Sequence, residues 1–163
     1  MLCKIDNYLR NLYRLSGYIA AIFLILVATF ILTGVASRIF GFYIRGLAEY
    51  SGYCMAASSF LALAYTFGEK GHIRITLFLE KANKSIRRYL ELWCLSIATF
   101  FSGFLFFYFV KMLMISFNFQ ERSEGADEIL IWIPQVSVAL GSTIFFICVF
   151  HNFILLILKK NDI

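Results

Sequence analysis

The chain has 163 residues, 61% of them hydrophobic and only 15% charged, with nineteen phenylalanines and a single proline; its mean hydropathy is +0.78. A soluble domain carries about 25% charged and roughly 45–50% apolar residues, and a domain this small has too little interior to hide such an excess. The surplus must face lipid, which excludes a soluble enzyme, a disulfide-framed secreted domain, a disordered chain and a free nucleic-acid-binding module. The net charge of +5 then reads as cytoplasmic anchoring of loops, not as attraction to nucleic acid.

Charged residues cut the sequence into four long uncharged windows. They predict an all-α integral membrane protein with four transmembrane helices, over about 15–37, 47–68, 91–116 and 130–158. Each is close to the ~20 apolar residues that cross the hydrocarbon core, and none alternates as a barrel strand does. Eleven Lys and Arg residues fall on one side of this topology and four (Arg38, Arg45, Lys111, Arg122) on the other. The positive-inside rule therefore places both termini and the middle loop in the cytoplasm. The N-terminus has the basic start of a signal peptide, and its apolar run ends in Gly34-Val35-Ala36-Ser37. That run exceeds an h-region of about 7–15 residues, so a retained first helix is expected.

Between the second and third spans, Ile75, Phe78, Leu79, Ala82, Ile86, Tyr89 and Leu90 recur at helical spacing, opposite Glu80, Lys81, Lys84, Arg87 and Arg88. The pattern predicts an amphipathic helix over about 75–90, its basic face toward anionic headgroups. The alternative is a water-exposed extension of the third span. With no repeat and no soluble segment, residues 1–163 read as one membrane unit.

The spans hold no Asp, Glu, Lys or Arg deep inside. A self-contained transporter needs a polar midplane site or broken helices, so the bare spans point to a subunit of a larger assembly. Cys3, Cys54, Cys94 and Cys148 are scattered singly without a Cys-x-x-Cys pair, and read as small buried hydrophobes. His72 and His151 both fall near the cytoplasmic face, which leaves a haem-binding redox subunit as the alternative; two histidines are too few for a metal site. Glu49 stands at the outer end of the second span, after Arg38 and Arg45. It is either an interfacial charge, paired with one of those arginines to little effect, or a buried salt bridge that fixes the turn or docks a partner. Glu121, Glu124, Asp127 and Glu128 form an acidic loop, read most simply as solvated.

Several short motifs fall in order on this topology: Ser37-Arg38 closing the first span, Glu49 opening the second, Gly68-Glu69-Lys70-Gly71-His72-Ile73-Arg74-Ile75 following it, and Ile131-Trp132-Ile133-Pro134 with Gly141 at the fourth. Together they resemble the small membrane (DctQ-like) subunit of tripartite ATP-independent periplasmic (TRAP) transporters. The chain departs from the family pattern at Tyr43-Ile44-Arg45-Gly46-Leu47-Ala48 and at Thr76. The resemblance implies a non-enzymatic small permease subunit that carries no substrate, metal or cofactor site of its own. In that family a large permease subunit holds substrate and Na⁺ and moves as an elevator, and a periplasmic binding protein delivers the solute. The expected partners are these two proteins and phospholipids. The expected process is symport of an organic acid, of the sialic acid or C4-dicarboxylate class, with this chain widening the static scaffold. The resemblance makes Arg38, Arg45, Glu49, Trp132 and Pro134 candidate subunit or partner contacts. It makes His72, Arg74, Lys81, Lys84, Arg87 and Arg88 candidates for holding the cytoplasmic loop and interfacial helix.

Overall fold

A computed structural model describes residues 2–68, 84–125 and 127–158. They form four helices: α1 (Leu2–Ile39), α2 (Leu47–Gly68), α3 (Lys84–Phe119) and α4 (Trp132–Leu158). Three of them, over Tyr8–Ile39, Tyr89–Phe119 and Trp132–Ile157, are long and apolar enough to cross a membrane. The expectation of four comparably apolar spans is thus met by three. The second helix has the length, about 33 Å at ~1.5 Å per residue, but is diluted by Ser51, Gly52, Ser58, Ser59 and Thr66.

The small residues among these suit its position. Helix α2 packs between α1 and α4, and α4 in turn packs on α3. The four make a row in the order α1–α2–α4–α3. Helices α1 and α4 touch only slightly, and α1 and α3 share no substantial interface among the described residues. An inner helix is covered on two sides, and small residues there let neighbouring backbones approach.

The α1 positions turned from solvent alternate in steps of three and four: Tyr13, Ser16, Ala20, Phe23, Val27, Phe30, Gly34 and Ser37. That spacing is the seam of a left-handed helix pair. Along it, a Cβ on Gly17 would fall 2.7 Å from the Tyr65 ring, and Gly68 sits against the ring of Tyr13. The buried Ser58 hydroxyl donates to the carbonyl of Ala20 at 2.9 Å, joining the two helices. Double-mutant cycles put such interhelical bonds at about 0.6 kcal/mol. Ser58→Ala is therefore expected to lower the thermal midpoint of the detergent-solubilised protein only slightly; a collapse of the fold would show that this bond does far more than link α1 to α2.

The α2–α4 seam is tighter still. Gly141 faces the backbone of Phe60 and Leu61, Cys148 Sγ lies 3.6 Å from the Ala64 carbonyl, and Phe67 meets Phe145 edge to face. Between α3 and α4, Phe106 stacks on Phe146 at 5.7 Å beside Gly103. Other α3 aromatics, among them Phe100, Phe101, Phe104, Phe107 and Tyr108, are exposed.

The expected separate helix over 75–90 meets the structure only in part. From Lys84 onward the chain already belongs to the uninterrupted α3, so Lys84, Arg87 and Arg88 occupy its first turns. The earlier part of that segment, with Lys81, and His72 and Arg74 before it lie outside the described residues.

Candidate functional site

The end of α1, the start of α2, the end of α3 and the start of α4 gather at one end of the row, and the candidate contacts Arg38, Arg45, Glu49, Trp132 and Pro134 all fall there. Local backbone chemistry shapes this end. Helix α1 stops at Gly41, whose φ of +76° lets Phe42 N–H bond the Ser37 carbonyl at 3.0 Å. Helix α3 ends in the same manner with Gln120 at φ +50° and Glu121 N–H on the Ser116 carbonyl at 3.2 Å. Both are left-handed C-terminal caps. The α3–α4 loop then folds back as a small antiparallel turn that pairs Arg122 with Leu130. Ser123 N–H bonds Ile129 O at 2.7 Å, and Ile131 N–H bonds Glu121 O at 3.0 Å.

This loop is clasped by the first turns of α2. The Tyr50 hydroxyl donates to Asp127 Oδ2 at 3.0 Å, and the Tyr53 hydroxyl lies 3.1 Å from Ser123 Oγ. The Glu49 carboxylate lies directly over Gly125, where a Cβ would coincide with it, and a Cβ on Gly46 would meet the Asp127 carboxylate. The acidic loop is accordingly more than a solvated stretch. Glu121 accepts from the Ser116 hydroxyl at 2.8 Å, and Glu128 makes an exposed 3.5 Å ion pair with Arg122. Glu49 is engaged with this loop; the exposed Arg38 and Arg45 have no ion-pair partner among the described residues.

Trp132 and Pro134 are half-buried in the first turn of α4. The Trp132 ring packs edge to face on Phe117 at 5.5 Å, and proline is tolerated there because a first-turn N–H has no intrahelical partner. Buried without a hydrogen-bond partner among the described residues are Trp132 Nε1 and Gln135 Oε1, one turn apart. Tyr50, Tyr53, Ser123, Gly46 and Gly125 are the residues that sequence reasoning missed. For Gly46, Tyr50 and Tyr53 the one signal was the Gly46-x-x-Glu49-Tyr50-x-x-Tyr53 spacing, which sets them with Glu49 at the start of α2; Ser123 and Gly125 carried none.

Next to this clasp, α1, α2 and the turn between them border an open cleft of about 360 Å³ lined by Ile31, Gly34, Val35, Arg38, Tyr43 and Leu47 among others. Among the described residues, no group of three or more His, Cys, Asp or Glu side chains could hold a metal ion. Cys54, Cys94 and Cys148 are free thiols, and His151 sits near the far end of α4, beside Asn152.

An open row of long apolar helices, with most of its charged side chains toward the ends, defines a multi-pass helical membrane protein. The model of the family described as tripartite ATP-independent periplasmic transporters, DctQ component, matches residues 26–159. The chain belongs to this family, and is a small permease subunit of a TRAP transporter. Membership implies association with the other TRAP components, and the family is one of transporter parts, not of enzymes. No curated protein matches the chain.

Proposed function

We propose that this chain widens the static membrane scaffold against which the large elevator subunit moves during Na⁺-coupled, binding-protein-dependent uptake of an organic acid. On this reading all four helices cross the inner membrane, with both termini in the cytoplasm. The observation that carries it is the open row. Helices α1–α2–α4–α3 leave apolar residues such as Leu24, Ile31, Phe100, Phe104, Leu140 and Ile147 uncovered. A layer of this kind has two broad faces, one for lipid and one for a partner of many helices.

Substrate and Na⁺ belong to the large subunit on this reading, and that assignment, like the sialic acid or C4-dicarboxylate class, rests on the family resemblance. Arg45, exposed beyond the helix ends, is the cation we assign to partner contact. Glu49 contributes indirectly, by holding the α3–α4 loop. The haem alternative depends on His72 acting with His151, and no observation favours it.

The test is affinity purification of the tagged chain from mild-detergent membranes, followed by mass spectrometry. A large multi-span permease is expected in stoichiometric amount, and its sequence will narrow the substrate. Recovery of the chain alone, or with a haem or quinone enzyme, would overturn the reading.

A further inference from the structure

The cleft between α1 and α2 has the makings of a lipid site. Its inner wall is apolar, built by Ile31 and Val35 of α1 with Leu47 of α2, and its mouth carries the exposed Arg38. Val35 and Arg38 are three residues apart on one helix, so their Cα atoms are about 4.5 Å apart along the axis, and both line the cleft. The space is open: a Cβ added to Gly34 would find only Leu47 Cδ1, at 3.9 Å. Glu49 also lines the cleft, but its carboxylate is turned onto Gly125. That leaves Arg38 without an ion-pair or hydrogen-bond partner for its side chain among the described residues. Around the mouth, Phe40, Phe42 and Tyr43 are exposed, the first two stacked at 6.4 Å. Aromatic rings of this kind sit at headgroup level.

An apolar groove capped by an unpaired guanidinium within an aromatic collar matches one ligand chemistry: a phosphate diester carrying acyl chains. We propose that this cleft binds a glycerophospholipid from the outer half of the bilayer, its phosphate on Arg38 and an acyl chain along Ile31 and Val35. The inference rests on the membrane placement of the preceding subsection. The lipid would fill the cleft that α1, α2 and their turn border, and so fix the angle of the α1–α2 turn.

The test is native mass spectrometry of the full complex, released from phosphatidylcholine nanodiscs containing phosphatidylglycerol. The wild type is expected to retain a phospholipid. Arg38→Gln, and Gly34→Leu, which fills the groove, are expected to lower the lipid-bound fraction several-fold, while Arg38→Lys keeps most of it. Equal retention in wild type and Arg38→Gln overturns the proposal. So does displacement of the lipid signal by excess inorganic phosphate, which would make the site one for free anions. A Val35→Cys variant that cross-links to the large subunit, in place of a lipid-borne probe, overturns it as well. The recovery of the large subunit is read in the same spectra, so a failed subunit assignment is separable from a failed lipid site.

Discussion

Gly141→Leu is expected to push α2 away from α4 and to lower the thermal midpoint of the solubilised protein more than any other single change in the spans. A Cβ at this position would lie 2.8 Å from the carbonyl carbon of Phe60, 2.8 Å from its Cβ and 3.0 Å from the amide nitrogen of Leu61. Backbone atoms inside a helix cannot rotate out of the way, so the two helix axes must separate. Separation loosens everything along the same seam: the Cys148–Ala64 contact, the Phe67–Phe145 pair and the 5.0 Å edge-to-face contact of Phe60 with Phe109. Overpacking a tight interior costs about 1–3 kcal/mol, and leucine against backbone belongs at or above the top of that range. Gly103→Ala is the control. Its Cβ would approach only the Phe146 ring, at 3.2 Å, and a ring can tilt, so a small shift is expected. Fluorescence-detected gel filtration after a heating series reads both variants. A wild-type midpoint for Gly141→Leu would show that α2 and α4 are held apart in solution.

The same seam explains what the sequence did and did not reveal. Lipid-facing length is written in the absence of charge, so the second span at 47–68 coincides with α2, and the fourth differs from α4 by two residues at its start. The first and third were expected at 15–37 and 91–116, yet α1 begins at Leu2 and α3 at Lys84. Charge marks where the hydrocarbon ends; a helix continues past that point because its backbone bonding does not depend on lipid. Neighbour order was not legible at all. A soluble helix betrays its buried side by polarity contrast, whereas these spans are apolar all round. What distinguishes the inner face is side-chain size, as at Ser16, Ala20 and Gly34 on α1 or Ala139, Gly141 and Ser142 on α4. Size periodicity is faint when Phe23, Val27 and Phe30 interrupt it on the same seam.

At the site, Glu49 and the carboxylates of the α3–α4 loop were each visible as isolated charges. Nothing in the sequence indicated that residues more than seventy positions apart meet, because that depends on α2 lying beside α4. Tyr50 and Tyr53 were masked by their own ambiguity: a tyrosine at a helix end is expected in any membrane interface. Arg38 stands at the end of α1 and Arg45 in the α1–α2 turn, but Glu49, considered as a partner for them, lies against the loop instead. The reason is reach. The α1–α2 turn ends on Gly46, whose left-handed conformation aims the start of α2, and Glu49 with it, toward Gly125 and Asp127.

That geometry makes the clasp sensitive to single methyl groups. Gly46 caps α2, its carbonyl accepting from Tyr50 N–H at 3.0 Å, with φ at +74°. An L-residue in this region costs about 1–2 kcal/mol from its own backbone. In addition, a Cβ here would meet the Asp127 carboxylate and lie 2.9 Å from the Tyr50 ring. Gly46→Ala is thus expected to destabilise on two counts and to free the α3–α4 loop, read as faster protease nicking between residues 121 and 128 and as weaker recovery of partner subunits. Gly125→Ala acts on the other half of the clasp, by placing a methyl where the Glu49 carboxylate lies. Its effect should shrink in a Glu49→Ala background, because removing the carboxylate removes the clash. Residues in contact show such coupling energies of roughly 0.5–3 kcal/mol in double-mutant cycles. If Gly125→Ala is equally harmful with and without Glu49, the loop is held by something other than this contact. If the penalty falls, α2 and the α3–α4 loop move as one unit, and the outer surface offered to the other transporter components is set by α2.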